Sequence, residues 1–317
     1  MDERAMSLRN PPPGALALGL LAVMAGVAVA LNPNFLSGDN IRAQLMIGAI
    51  IGTVAVGQTV LIIMGQIDLS VPWTMTAAGI AMAALHGWGY ADAPCIAAAL
   101  AIGLAVGLGN TIGVAVFRIQ SLVWTLAMNT LLQGLVLVYT NSQPPKAGVP
   151  ATARSLAVGE IAGAPLAALF WAALAIATIV MLRRTLLGRM IYATGVNPLA
   201  TVFSGIDVRR CYLFGFMLAG LCSALGGVLL TGYASEVYLG MGADYQLLPI
   251  AAVVIGGASI AGGSGGYAGT VVGVLIMLIM QSVLSVAQIA PGGKDILLGL
   301  LILAAVVAYG RRGAVLS

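Results

Sequence analysis

Residues 43–64, AQLMIGAIIGTVAVGQTVLIIM, contain no charged side chain. About 20 consecutive apolar residues let an α-helix cross the hydrocarbon core of a bilayer. Runs of this kind recur along the chain and narrow its fold to one class. A soluble domain carries about 25% charged residues and interrupts its apolar runs to build an outer face. Here 60% of the 317 residues are hydrophobic and 8% are charged, and the mean hydropathy is +1.04. Too few polar side chains exist to coat a globule in water.

Apolar segments succeed one another at about 14–31, 43–64, 70–86, 93–117, 121–139, 164–182, 211–231, 247–262, 267–287 and 293–309. Their length and continuity read as helices. The expected fold is all-α, a polytopic transmembrane helical bundle of about ten spans forming a single domain over 1–317. No small-residue cleavage site comes after the first run, which reads as a retained helix.

Orientation comes from arginine placement, because basic residues stay on the cytoplasmic side. Arg4 and Arg9 precede the first run, and Arg183, Arg184, Arg189, Arg209 and Arg210 flank the long connection 183–210. Arg311 and Arg312 end the chain. An even number of spans then puts both termini, Arg118 and 183–210 inside, and 140–163 with the region of Glu236 and Asp244 outside. Arg42 and Lys294 run against the count, each with an acid nearby, Asp39 and Asp295. The net charge of +4 therefore reports topology, and no nucleic-acid partner is expected.

The long connection contains TLLGRMIYATGVNPLATVFSGIDVRRC, residues 185–211. The stretch starts as a helix end and passes through Gly195 and Val196 to Asn197 and Pro198, where Asn-Pro marks a break with Asn197 placed to cap the next turn. Residues 198–204 can form a short helix that Gly205 ends. A helix this short is marginal alone in water and gains support when docked on another protein. A solvated linker whose arginines only fix topology fits the same residues.

Polar residues inside the apolar runs are the other candidates. Asp68, in MGQIDLSVP, is expected near mid-membrane, where a carboxylate costs about 2.5–3.5 kcal/mol and so faces a cavity or a partner. Gly65 and Pro72 let the helix break there. The freed backbone groups then face an aqueous pathway or are capped by Asp68 and Ser70. Asn129 and Gln133 lie four residues apart on one helical face; such amides bond across helices or line a polar route. GGASIAGGSGG, residues 256–266, lacks the Lys-Ser/Thr of a phosphate loop and suits close helix packing or a re-entrant turn. Cys95, Cys211, Cys222 and His86 show no metal-ligand spacing; packing roles and an interfacial tip are expected. Trp73 and Trp124 serve as interface anchors or as stacking platforms.

Four blocks, LGRMIYATGVNPLATVFSGIDV (187–208), IDLSV (67–71), TLAMNTLLQGLVLVYTN (125–141) and IAAVVIGGASIAGGSGGYAGTVVGVLI (250–276), carry a family resemblance. Together they resemble the permease subunits of ribose-type sugar importers, ATP-binding-cassette transporters of the branched-chain amino acid and sugar permease superfamily. The resemblance implies a bacterial inner-membrane subunit forming the pathway for a sugar or similar small polar solute. It also implies partners: a periplasmic solute-binding protein, a second permease copy or paralogue, and a cytoplasmic ATPase docked on the 183–210 loop. Carried onto this sequence, the coupling residues are Gly188, Arg189, Gly195, Asn197, Ala200, Ser204 and Gly205, with Ala200 and its neighbours packing into the ATPase groove. Asp68, Ser70, Asn129 and Gln133 are the pathway candidates. Gln66 and Pro72 stand where the family commonly has glycine, and Gln133 where it often has arginine.

The chain has no Gly-x-x-x-x-Gly-Lys-Ser/Thr loop, so ATP hydrolysis is expected on a partner. No cofactor, metal or catalytic constellation is expected. A stand-alone secondary transporter or channel is the rival reading. Such proteins place ionisable residues mid-helix, and Asp68 is the clear candidate here.

Overall fold

A computed structural model describes residues 13–146, 148–290, 292–294, 296–300 and 303. Arg4, Arg9, Arg311, Arg312, Asp295 and much of the expected segment 293–309 lie outside these residues. The helices are α1 (Pro13–Leu31), α2 (Gly38–Ile63), α3 (Val71–Gly87), α4 (Asp92–Thr111), α5 (Ser121–Tyr139) and α6 (Ala151–Val158). After a hairpin of β1 (Glu160–Ile161) and β2 (Ala164–Pro165) come α7 (Leu166–Arg184), α8 (Leu186–Val196) and α9 (Pro198–Phe203). Next come α10 (Val208–Ala234), α11 (Leu248–Ile255) and α12 (Tyr267–Val286). Beyond that hairpin, the described residues form an all-α bundle.

Among the described residues, six helices are long and apolar enough to cross a membrane: α2, α4 with its continuation to Val116, α5, α7, α10 and α12. Two of the expected spans fall short of a full crossing, α3 at its expected length of 17 residues and α11 well short of 247–262. At a rise of 1.5 Å per residue, α3 is about 25 Å long and α11 about 12 Å, against a hydrocarbon core of about 30 Å. The chain leaves the helix at Met64–Ser70, between two expected runs, and at Gly256, inside the expected run 247–262. The 140–163 connection is also more ordered than its Pro- and Gly-rich composition suggests, since it holds α6 and β1.

The core is built on α10, which packs on α2, α3 and α4. Lipid tails are as apolar as leucine, so helix association relies on close van der Waals contact through small residues. A Cβ on Gly103 of α4 would strike the Gly220 carbonyl of α10, and one on Gly107 the Phe216 carbonyl. On the other side Trp171 of α7 donates to the Tyr267 hydroxyl at 2.8 Å, which donates to the Gly52 carbonyl at 2.6 Å. Gly57 lies against Ala219, and Gly226 against Val54 and Met75, so α10 runs antiparallel to α2 and parallel to α3.

These pairings sort the connections by end. One end carries Met64–Ser70, the Arg118 corner, 183–210 and 256–266. The other carries the α3–α4 turn and 140–165, where Asp92 accepts from the Thr152 backbone and hydroxyl at 2.8 and 2.7 Å. His86, expected as an interfacial tip, lies 3.9 Å from Asp92 at this same end. Residues 235–247 leave α10 there but double back, and the Gly242 amide donates to Thr76 Oγ1 at 3.2 Å. Hence α11 starts part-way through the bundle.

Candidate functional site

Where α2 ends, Met64 and Gly65 (φ +71°) turn the chain back along the helix it has just left. Residues 66–70 then run without helical hydrogen bonds, and each unpaired backbone group buried in apolar surroundings is costly. Side chains from neighbouring helices take them up. The Ile67 amide donates to Ser121 Oγ at 3.2 Å, that of Leu69 to Thr125 Oγ1 at 2.9 Å, and that of Trp73 to Asn129 Oδ1 at 3.3 Å. Ser121, Thr125 and Asn129 are spaced by four on α5, so one helical face supplies all three acceptors. Gln58 of α2 donates its amide to the Asp68 carbonyl. Asn129 thus bonds across helices. Gln133 continues the stripe but is exposed, without a hydrogen-bond partner among the described residues.

Asp68 and Ser70 are 1% and 0% exposed. Asp68 Oδ1 accepts from the Ser70 amide at 2.8 Å and the Ser70 hydroxyl at 2.6 Å. Asn110 of α4 donates to Ser70 Oγ at 2.9 Å and to Asp68 Oδ1 at 3.3 Å. Asp68 Oδ2 finds no hydrogen-bond partner among the described residues. The turn at Gly65 (φ +71°) folds the segment back along α2. Asp68 lies level with Gln58, about 8 Å inside the end of α2 at helical rise. Gln58, Asn110, Ser121 and Thr125 were not among the sequence candidates. The four-residue stripe on α5 was the available signal for the last two.

At the same end the chain forms α8 and α9. Thr185 caps α8 by accepting from the Gly188 amide at 3.1 Å, and Gly188 is buried against the Met181 and Leu182 carbonyls. Arg189 is exposed, with no ion pair among the described residues. The helix break falls at Asn197 and Pro198, where α8 ends at Val196 and α9 begins. Gly195 lies within α8 and serves close approach. A Cβ there would strike the Ile63 carbonyl and come within 2.6 Å of the Gly263 amide. That amide donates to the Ile63 carbonyl at 2.8 Å, and Tyr192 donates to the Gly265 carbonyl at 2.8 Å. The end of α8, the end of α2 and the glycine-rich loop therefore meet backbone to backbone.

Asn197 caps α9, its Oδ1 accepting from the Ala200 amide at 3.0 Å, with Pro198 at the first helical position. Ser204 donates back to the Ala200 carbonyl at 2.9 Å, and Gly205 closes the turn at φ +80°. The helix is one residue shorter than 198–204 and otherwise as expected. Its outer surface is apolar: Phe203 is 90% exposed, Leu199 73% and Val202 55%, with Val196 beside them at 73%. Ala200 is exposed among them, and Arg183, Arg184, Arg189, Arg209 and Arg210 are exposed in the flanking segments.

The family model described as the permease component of the branched-chain amino acid transport system matches residues 40–306. The chain belongs to that family. The ribose import permease RbsC of Escherichia coli K12 is 34% identical over 295 residues, covering 92% of both chains. RbsC of Bacillus subtilis 168 is 34% identical over 298 residues, 94% of this chain and 92% of its own. The autoinducer 2 permease LsrC of Salmonella choleraesuis SC-B67 is 29% identical, covering 93% of this chain and 84% of its own. No solved structure matches. Family and relatives make this permease a ribose-type member of the ATP-binding-cassette importers and a multi-pass membrane protein, similar to transport subunits rather than to enzymes.

Proposed function

We propose that this permease forms the membrane pathway of an ATP-driven importer for a sugar or similar small polar solute, with α9 as the docking element for a separate ATPase. The observation that carries this reading is the apolar face of Leu199, Val202 and Phe203 on a short helix capped at both ends. A six-residue helix gains little from its own hydrogen bonds, and an exposed phenylalanine is stabilised when a partner covers it. Arginines on both sides support placing this end in the cytoplasm, with both termini inside and about ten spans. Gly188, Arg189, Gly195, Asn197, Ala200, Ser204 and Gly205 then shape and hold the coupling loop. The segment with Asp68 and Ser70, braced by Asn129, bounds the pathway, and Gln133 extends its polar stripe. A periplasmic binding protein would deliver the solute, and a second permease copy or paralogue would complete the pathway in the inner membrane. The ribose and autoinducer 2 relatives support a sugar-like cargo.

Gentle purification of the tagged chain from its native host, with mass spectrometry of the proteins that accompany it, tests the reading. A soluble ATPase is expected with the unaltered chain. Phe203→Asp removes an aromatic contact that docking would bury, worth about 1.5–3 kcal/mol, so recovery of the ATPase should fall roughly ten- to a hundredfold. If the unaltered chain emerges alone from an extract that contains the ATPase, the secondary-transporter reading takes over.

A further inference from the structure

Beside the Asp68 segment, at the α9 end, lies a cavity of about 630 Å³ to which neither the docking helix nor the buried polar cluster assigns a use. Gln66, Arg118, Gln120, Ser121 and Tyr212 line it, and no acidic side chain does. Its volume falls within the range of small-molecule sites, about 300–1,000 Å³.

The lining is unusual for an apolar bundle. Gln66 Nε2 reaches the Tyr212 hydroxyl at a loose 3.4 Å, leaving both groups with further hydrogen-bonding capacity. Arg118 has no ion pair among the described residues. It sits at a left-handed corner, φ +57°, just after α4 ends in a π-helical turn at Ile112–Val116. Such backbone at a non-glycine residue persists where the surroundings over-determine it, and both features concentrate at functional sites.

We propose that this cavity is a solute site at the inner end of the pathway. It holds a small polyhydroxylated molecule through Gln66, Gln120 and Tyr212, with Arg118 at the rim. An amide donates and accepts together, as does a phenol, which matches neighbouring hydroxyls that each do the same. Gly65 and Ile260 complete the wall. Gly65 packs within 3.0 Å of the position a Cβ on Gly262 would take, and that Cβ would also lie 2.8 Å from the Gly195 carbonyl. The wall therefore belongs to the segments that a movement of α8 would displace. The proposal rests on the importer reading and adds a specificity residue, Gln66.

The three cysteines of this chain are buried, so Gln66→Cys, or Gln120→Cys as an independent second site, adds one exposed thiol per permease chain, and labelling is read by mass spectrometry on the permease itself. A membrane-impermeant methanethiosulfonate should label either variant in inside-out vesicles and not in right-side-out ones. D-ribose, D-xylose, D-glucose and myo-inositol are each added at roughly 0.1 M. At least one should slow labelling about threefold, as mass action gives for a dissociation constant of tens of millimolar. No labelling from the inner side at either position, or labelling that all four leave unchanged, overturns the site. The importer reading is judged separately on the same preparations. A co-purifying ATPase with an unprotected cysteine removes only the site, whereas an absent ATPase removes the reading beneath it.

Discussion

Asp68 is held by the turn it makes, since its Oδ1 takes the Ser70 amide, the Ser70 hydroxyl and the Asn110 amide. Removing one partner of a buried hydrogen bond leaves the other unsatisfied, at about 1–3 kcal/mol per group. Asp68→Ala would orphan donors at the entry to α3, whereas Asp68→Asn keeps a carbonyl oxygen in the accepting position. The alanine variant should therefore lower the thermal midpoint of the purified permease by several degrees, and the asparagine variant by less than half as much. Equal midpoints for alanine and the unaltered chain would remove the capping role. The aspartate stood out in the sequence because a carboxylate in an apolar run needs a reason. Gln58 and Asn110 did not, because a lone amide in an apolar helix carries no sign of the face it uses.

The short helix α9 was the most legible element, because its two ends are written in residue types whose conformational needs are local. Asn197 supplies a cap and Gly205 a left-handed turn, and neither depends on the rest of the fold. At Gly205 nothing lies within 4 Å of where a Cβ would sit, so its requirement is purely conformational. Asparagine tolerates the left-handed region and a β-branched residue does not. Gly205→Asn should keep the co-purifying ATPase within about twofold of the unaltered level, an energy below about 0.5 kcal/mol. Gly205→Val and Asn197→Pro should lose it while membrane levels stay constant. Full recovery of the ATPase with Gly205→Val would remove α9 as the docking element. The half-length α11 was illegible by contrast. Residues 247–262 are as apolar as a span, and only the positive φ values at Gly257 and Gly262 show that the chain stops being a helix.

At the scale of the molecule, the contact at Gly195 joins the proposed docking helix to the proposed pathway segment. α9 offers an exposed apolar face, residues 66–70 carry the buried polar cluster, and between them stand α8, Ile63 and the loop at Gly262–Gly263. Motion passes through such a junction only if the parts are in hard contact, since packed interiors resist compression and transmit strain. Gly195 supplies that contact by having no side chain. Gly195→Ala would drive a methyl group into the Ile63 carbonyl, and overpacking of this kind costs about 1–3 kcal/mol as the elements move apart. The apolar face of α9 is untouched, so the ATPase should still co-purify at the unaltered level. ATP hydrolysis by the complex in proteoliposomes should become insensitive to a saturating binding protein and its solute. Docking retained with stimulation lost places Gly195 in transmission rather than attachment. Stimulation retained would mean that the force from α9 reaches the pathway by another route, for which the direct continuation from Gly205 into α10 is the remaining covalent path.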